Sequence, residues 1–118
     1  MDIDIIIPIY NAFDFVKKCI ETVIEHTDLT QHTLLLVNDK STDERILPLL
    51  NSFIKENQSL NIILIDNKDN QGFVRTVNIG MQYSHHDVVL LNSDTEVTRN
   101  WLSKIQNCAY SKPAVATV

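Results

Sequence analysis

Four short apolar runs, Ile5–Ile9, Leu34–Val37, Ile62–Ile65 and Val88–Leu91, begin 29, 28 and 26 residues apart. Nothing else in the chain constrains its fold as strongly. Each run is too short for an ordinary helix and rich in Ile, Val or Leu, the pattern of a strand buried on both faces. The intervals between them carry apolar residues at helical spacing. Phe13, Val16, Ile20, Val23 and Ile24 share one helix face; so do Ile46, Leu50, Phe53 and Ile54, then Val74, Val77 and Met81, then Leu102, Ile105 and Ala109. Ser41 followed by Glu44 has the spacing of a capping box for the second helix, and Pro48 is expected to kink that helix or limit its first turns. The order is βαβαβαβα, with Ala114–Val118 as the expected start of a fifth strand. Strands and helices alternating at this interval pair in parallel through right-handed crossovers, giving an α/β fold.

A length of 118 residues fits one domain. With 44% hydrophobic residues the chain is not of the disordered class. Ten Lys and Arg against 15 Asp and Glu leave a formal charge of −5, which argues against a nucleic-acid or anionic-membrane binder. A nucleotide ligand stays open, because a metal ion can bridge two sets of negative groups. The longest uncharged apolar stretch near the start, Ile5–Tyr10, falls far short of the ~20 residues that cross a membrane. Asp2 and Asp4 stand where a signal peptide carries positive charge, and the first Lys is Lys17. Cys19 and Cys108 have no metal-type spacing and fall on helical apolar stripes, which reads as two buried thiols in a reducing cytoplasm.

In an open parallel sheet, ligands bind outside the carboxyl ends of the strands. The strand ends here are Tyr10-Asn11, Asn38-Asp39, Asp66-Asn67 and Asn92-Ser93-Asp94. Each alone suits a turn; together they form a polar rim along one edge. Glycine occurs only at Gly72 and Gly80, so neither the dinucleotide G-x-G-x-x-G nor the phosphate-loop G-x-x-x-x-G-K-[ST] can be assembled. Asn92–Glu96 is the densest acidic cluster at a strand end, with oxygen donors suited to a hard divalent ion or, equally, to a solvated turn. His85-His86 reads as a surface turn, His26 and His32 as exposed loop residues, and Trp101 as a packing residue.

The motifs at these junctions resemble those of the inverting glycosyltransferase family 2. Ile6–Asn11 reads I-I-P-I-Y-N against the family's V-I-P-x-Y-N. Val37–Asp43 reads V-N-D-K-S-T-D against V-D-D-G-S-T-D, and Asn70–Gly80 follows N-x-G-x-x-x-A-x-N-x-G. Leu90–Val97, L-L-N-S-D-T-E-V, stands in the place of the family's D-x-D. The resemblance implies a GT-A fold, Rossmann-like, with a mostly parallel sheet and helices on both faces. It implies that residues 1–118 are its nucleotide-sugar-binding portion, cut at the C-terminus.

Pro8, Tyr10 and Asn11 would then wall the nucleotide pocket, and Asp39 would accept a hydrogen bond from the base. Asn70, Gly72 and Asn78 would shape the adjoining loop and helix, with Arg75 a weaker candidate for phosphate contact and Ser93 beside the nucleotide. Asp94 would bind Mg²⁺ or Mn²⁺ bridging the diphosphate, with Asn92 near the ribose or metal and Glu96 as a further ligand. The implied donor is a UDP, dTDP or GDP sugar, and the acceptor a saccharide or lipid-linked saccharide. The general base that deprotonates the acceptor would lie beyond Val118, so transfer by this chain alone is expected to be weak or absent. Three positions depart from the family pattern: Asn38 for the first Asp of the D-D pair, Lys40 for Gly, and Asn92 for the first Asp of D-x-D. The N-x-D form resembles the branch with rhamnosyl- and galactofuranosyl-type enzymes.

Two other readings compete. A receiver-type signalling domain has this length and alternation, and Asp66 lies where its phosphorylated Asp would be, but the first strand lacks the acidic pair such a domain needs. A non-catalytic nucleotide-binding fragment is the other. The expected location is the cytoplasm, with peripheral attachment to the inner face of a membrane and homo-oligomerisation left open.

Overall fold

The computed structural model describes residues 2–110. Its elements follow in the order β1 (Ile3–Ile9), α1 (Phe13–His26), β2 (Thr33–Asn38), α2 (Ile46–Glu56), β3 (Ile62–Asp66), α3 (Phe73–Tyr83), β4 (Asp87–Leu90) and α4 (Trp101–Tyr110). The expected strand at Ala114–Val118 and the side chain of Cys108 lie outside the described residues. All pairings are parallel, in the spatial order β3-β2-β1-β4. That order decides against the receiver reading, whose first strand is flanked by the second and third. Here β1 is flanked by β2 and β4, as in a Rossmann-type sheet.

The pleat of β1 sorts its residues between two cores. Ile3, Ile5, Ile7 and Ile9 face one side, packed with Val16, Cys19, Ile20 and Val23 of α1, Ile46 and Leu50 of α2, and Trp101 and Leu102 of α4. Ile6 faces the other side with Leu35, Val37 and Ile79 of α3. Helices therefore cover both faces, and each fully buried Ile or Leu stabilises the fold by about 2 kcal/mol relative to exposure. Among the described residues, α3 is the helix that packs on the second face, and closely. A β-carbon at Gly80 would lie 2.9 Å from Ile6 Cγ2, so glycine is what lets the helix approach β1.

Register aligns the strand ends. Ile9 pairs with Asn38, and Asn38 with Asp66. The ladder continues past them, since the Asp39 N–H donates to the Ile9 carbonyl at 2.7 Å and the Asn67 N–H to the Asn38 carbonyl at 2.9 Å. Three of the four ends in the polar rim read from the sequence thus form one edge, while β4 stops earlier, with Leu90 level with Ile6.

Local details depart from expectation in two places. The capping box does not form, because α2 starts at Ile46, past both of its members. Ser41 instead donates to Asn38 Oδ1 at 2.7 Å, and Asp43 accepts the Arg45 N–H at 3.0 Å. Pro48 falls in the first turn of α2, where its missing N–H breaks no helical hydrogen bond. His32 is buried, not exposed. Its Nδ1 accepts the Ile3 N–H at 3.1 Å, satisfying the start of β1, and burial pushes its pKa below the ordinary histidine value. At the same end of the sheet, the buried Asp4 accepts the Ser84 hydroxyl and lies 3.3 Å from His86 Nδ1. Trp101 packs as expected, and its indole N–H donates to Thr27 Oγ1 at 2.8 Å.

Candidate functional site

The ends of β1 and β2, with the loop entering α3, enclose a cleft of about 390 Å³. It is lined by Pro8, Ile9, Tyr10, Asp39, Asn70, Gly72, Phe73 and Thr76. Five of these, Pro8, Tyr10, Asp39, Asn70 and Gly72, are residues the sequence pointed to. Two aromatic rings stand largely open to solvent in its walls, Tyr10 at 49% and Phe73 at 57% exposure. Exposed rings above a buried carboxylate suit a flat heteroaromatic ligand with polar edges. Phe73, Thr76 and Ile9 were not anticipated. A signal for Phe73 was its place directly after Gly72 at a helix start, and for Thr76 its hydroxyl where the family pattern has Ala.

Asp39 is the organising residue. Its Oδ1 accepts the Gln71 N–H at 2.6 Å and the Asn67 amide at 3.1 Å, and its Oδ2 accepts the Gly72 N–H at 3.0 Å. Asn67 also donates to Thr76 Oγ1 at 3.3 Å, and Asn70 donates to the Asp39 carbonyl at 3.1 Å. Burial by itself would raise the Asp39 pKa. The Gln71 N–H, then Asn67, Thr76 and the Gly72 N–H outweigh it and hold the carboxyl below the ordinary aspartate value. The Gln71, Asn67 and Gly72 donors, with the Thr76 hydroxyl beside them, fix both of its oxygens in place. Gly72 adopts φ +82°, a conformation side chains resist, and this shapes the loop that reaches Asp39.

The departures at Asn38 and Lys40 have local explanations. Asn38 donates through its amide to Asp66 Oδ1 at 3.1 Å while accepting from Ser41. An aspartate there would set two carboxylates side by side. Lys40 sits at φ +56°, the left-handed region in which the family's glycine carries no steric cost.

Other predicted residues lie off the cleft. Asn11 turns toward the loop before α2, where its amide donates to Thr42 Oγ1 at 2.9 Å and its Oδ1 accepts the Asp43 N–H at 2.9 Å. Its own φ of 55° is one that asparagine tolerates. Arg75 and Asn78 are exposed on α3 and do not line the cleft. Asn92, Ser93, Asp94 and Glu96 occupy the loop after β4, turned by a Thr95 N–H to Asn92 carbonyl bond of 3.1 Å. The strand order reverses between β1 and β4, the position where Rossmann-type sheets hold their ligands, so the cleft and this loop flank that point. Among the described residues, Asp94 and Glu96 make no hydrogen bond or ion pair, and no three His, Cys, Asp or Glu side chains converge to hold a cation. A hard cation that keeps phosphate and water ligands needs only one or two protein carboxylates, so exposed Asp94 with amide and carboxylate neighbours fits such an ion.

A family profile described as glycosyl transferase family 2 matches residues 4–118. The chain belongs to that family. It is 31% identical over 104 residues to polypeptide N-acetylgalactosaminyltransferase 11 of Xenopus tropicalis, covering 86% of this chain and 17% of that protein. Its fold matches a mannosyltransferase from Pyrobaculum calidifontis in complex with GDP-Man and Mn²⁺, at a TM-score of 0.83 and 16% identity. That match covers 91% of this chain and 32% of the other. GalNAc-T7 with UDP, GalNAc and Mn²⁺ matches at 0.77 and 20% identity, over 88% of this chain and 20% of that one. The chain thus has the GT-A, Rossmann-like architecture, and it spans a third or less of these relatives. Among the described residues, no helix is long and apolar enough to cross a membrane.

Proposed function

We propose that this chain is the donor-binding part of a glycosyltransferase that moves a sugar from a nucleoside diphosphate to an acceptor hydroxyl with inversion. The observation that carries this reading is the cleft itself: two open aromatic rings, an ionised Asp39 held in its wall, and a position at the carboxyl edge of a Rossmann-type sheet. The base lies between Tyr10 and Phe73 and donates to Asp39, which selects rings with an N–H at the matching edge. Uracil, thymine and guanine have one.

Asp94, with Asn92 and Glu96, holds Mg²⁺ or Mn²⁺ beside the diphosphate. Bound there, the ion supplies Lewis-acid stabilisation of the departing nucleoside diphosphate. Ser93 lies next to these ligands, while Arg75 and Asn78, exposed on α3, stay outside the donor site in this reading. The acceptor, a saccharide or lipid-linked saccharide, and the base that takes its proton belong to sequence outside these 118 residues. Relatives solved with GDP-Man or UDP together with Mn²⁺ support the ligand class.

Calorimetry with UDP, dTDP and GDP, each with and without Mn²⁺, tests the reading. Binding of at least one, tightened by Mn²⁺, is expected. Failure of all three to bind in either condition overturns it.

A further inference from the structure

The loop that carries the candidate cation ligands is tied to α1 at both ends. At its start, the Cys19 thiol donates to the Asn92 carbonyl, with sulfur and oxygen 3.7 Å apart. The Thr95 N–H donates to the same Asn92 carbonyl at 3.1 Å, so the Cys19 attachment sits where the turn closes. At its end, Thr22 Oγ1 accepts the Val97 N–H at 3.1 Å while donating to the Cys19 carbonyl at 2.8 Å. Cys19 and Thr22 stand three apart on one helix face and both are buried, as is Val97. Between the two attachments, Asp94 and Glu96 stay exposed. Burial pushes the Cys19 thiol up to about 12, so at neutral pH it remains a proton donor and not a reactive thiolate.

We infer that Cys19 and Thr22 are positioning residues, which hold the Asn92–Val97 loop in the shape that presents Asp94 to a divalent cation. The inference rests on the donor-site reading above. The physical reason is that an exposed loop with a single well-placed carboxylate gains affinity only if its backbone is fixed beforehand. Two buried bonds from a rigid helix do this without touching the ion.

The test is Mn²⁺ binding to the 118-residue chain, measured alone and with UDP, in Thr22→Val, Thr22→Ser, Cys19→Ala and Cys19→Ser. Thr22→Val is expected to weaken Mn²⁺ about tenfold while UDP affinity without metal stays within about twofold, since the partners of metal ligands typically cost this much. Thr22→Ser restores binding, because it keeps the acceptor. Hydrogen exchange at the Val97 amide quickens in Thr22→Val and not in Thr22→Ser. If Thr22→Val does not fold, Cys19→Ala decides, with a loss of about tenfold that Cys19→Ser recovers.

Mn²⁺ binding that is lost in Asp94→Ala but intact in folded Thr22→Val, or in Cys19→Ala where that variant decides, overturns the positioning role alone. A wild-type chain that takes up no Mn²⁺ with or without UDP overturns the metal site, and this inference with it.

Discussion

The two sides of the strand reversal are built on opposite plans. On the β1–β2 side, the charged group is buried and its hydrogen bonds are internal: Asp39 is engaged by Asn67, Gln71 and Gly72. On the β4 side, the charged groups face outward, and the internal hydrogen bonds belong to the backbone of Asn92, Thr95 and Val97. One region satisfies its charged group from within. The other fixes its backbone and leaves its carboxylates exposed. Mutations should therefore cost folding energy on the first side and ligand affinity on the second.

The largest expected effect follows from Asp39→Ala. It strands two backbone N–H groups and an amide in a buried place, and is expected to lower stability by about 3 kcal/mol. Urea unfolding measures this, and a loss under 1 kcal/mol would break the contrast on its first side. Asp94→Ala is the matching change on the second side. It should abolish the Mn²⁺ enhancement of nucleotide binding while moving stability by no more than about 0.5 kcal/mol, as surface substitutions do. A large drop in melting temperature there would erase the difference between the regions.

Thr76→Ala comes next. It removes the hydroxyl bonded to Asn67 and is expected to cost about 1 kcal/mol, with weaker nucleotide binding as Asp39 loses part of its support.

Acidification sharpens the comparison from another direction. The Asp39 pKa is lowered in the folded state, so its stabilisation is complete above the unfolded value near 3.9 and is lost as pH falls below that toward the folded value. The urea midpoint should fall between about pH 5 and pH 3, and Asp39→Asn should flatten that fall.

Lys40→Gly should change least. Relief of about 1 kcal/mol of left-handed strain is nearly offset by the greater freedom of glycine in the unfolded chain, for a net change within about 0.5 kcal/mol.

Much of this molecule is legible in its residues. The apolar runs at Ile5, Leu34, Ile62 and Val88 became β1 to β4, but only β1 and β2 are buried on both faces; β3 and β4, at the ends of the strand order, are half-exposed. The helical stripes became helices, though α3 buries Thr76, Val77 and Gly80 and leaves the expected Val74 and Met81 exposed, because its approach to β1 takes the small residues. Five cleft residues were readable because they sit in family motifs at strand ends. The Asn67–Thr76 contact was not, since it joins a strand end to the buried face of a helix nine residues on. Local spacing does not encode that meeting. The burial of His32 was hidden for a similar reason: the Ile3 N–H that needs an acceptor comes from the other end of a crossover. The capping box misled because its spacing was met in a segment whose side chains are taken by Asn38 and Asn11.

The Gly72 conformation and the two N–H groups that meet Asp39 have a further consequence. Those amides lie at the amino end of α3, where the aligned peptide dipoles concentrate positive potential. In many nucleotide folds that end is left open and a phosphate settles on it. Here an aspartate of the protein has already taken the place. The helix has spent its field on a fixed anion, so a diphosphate must find its countercharge elsewhere. In the donor-site reading proposed above, that countercharge is a cation on the loop after β4, which α1 fixes through Cys19 and Thr22.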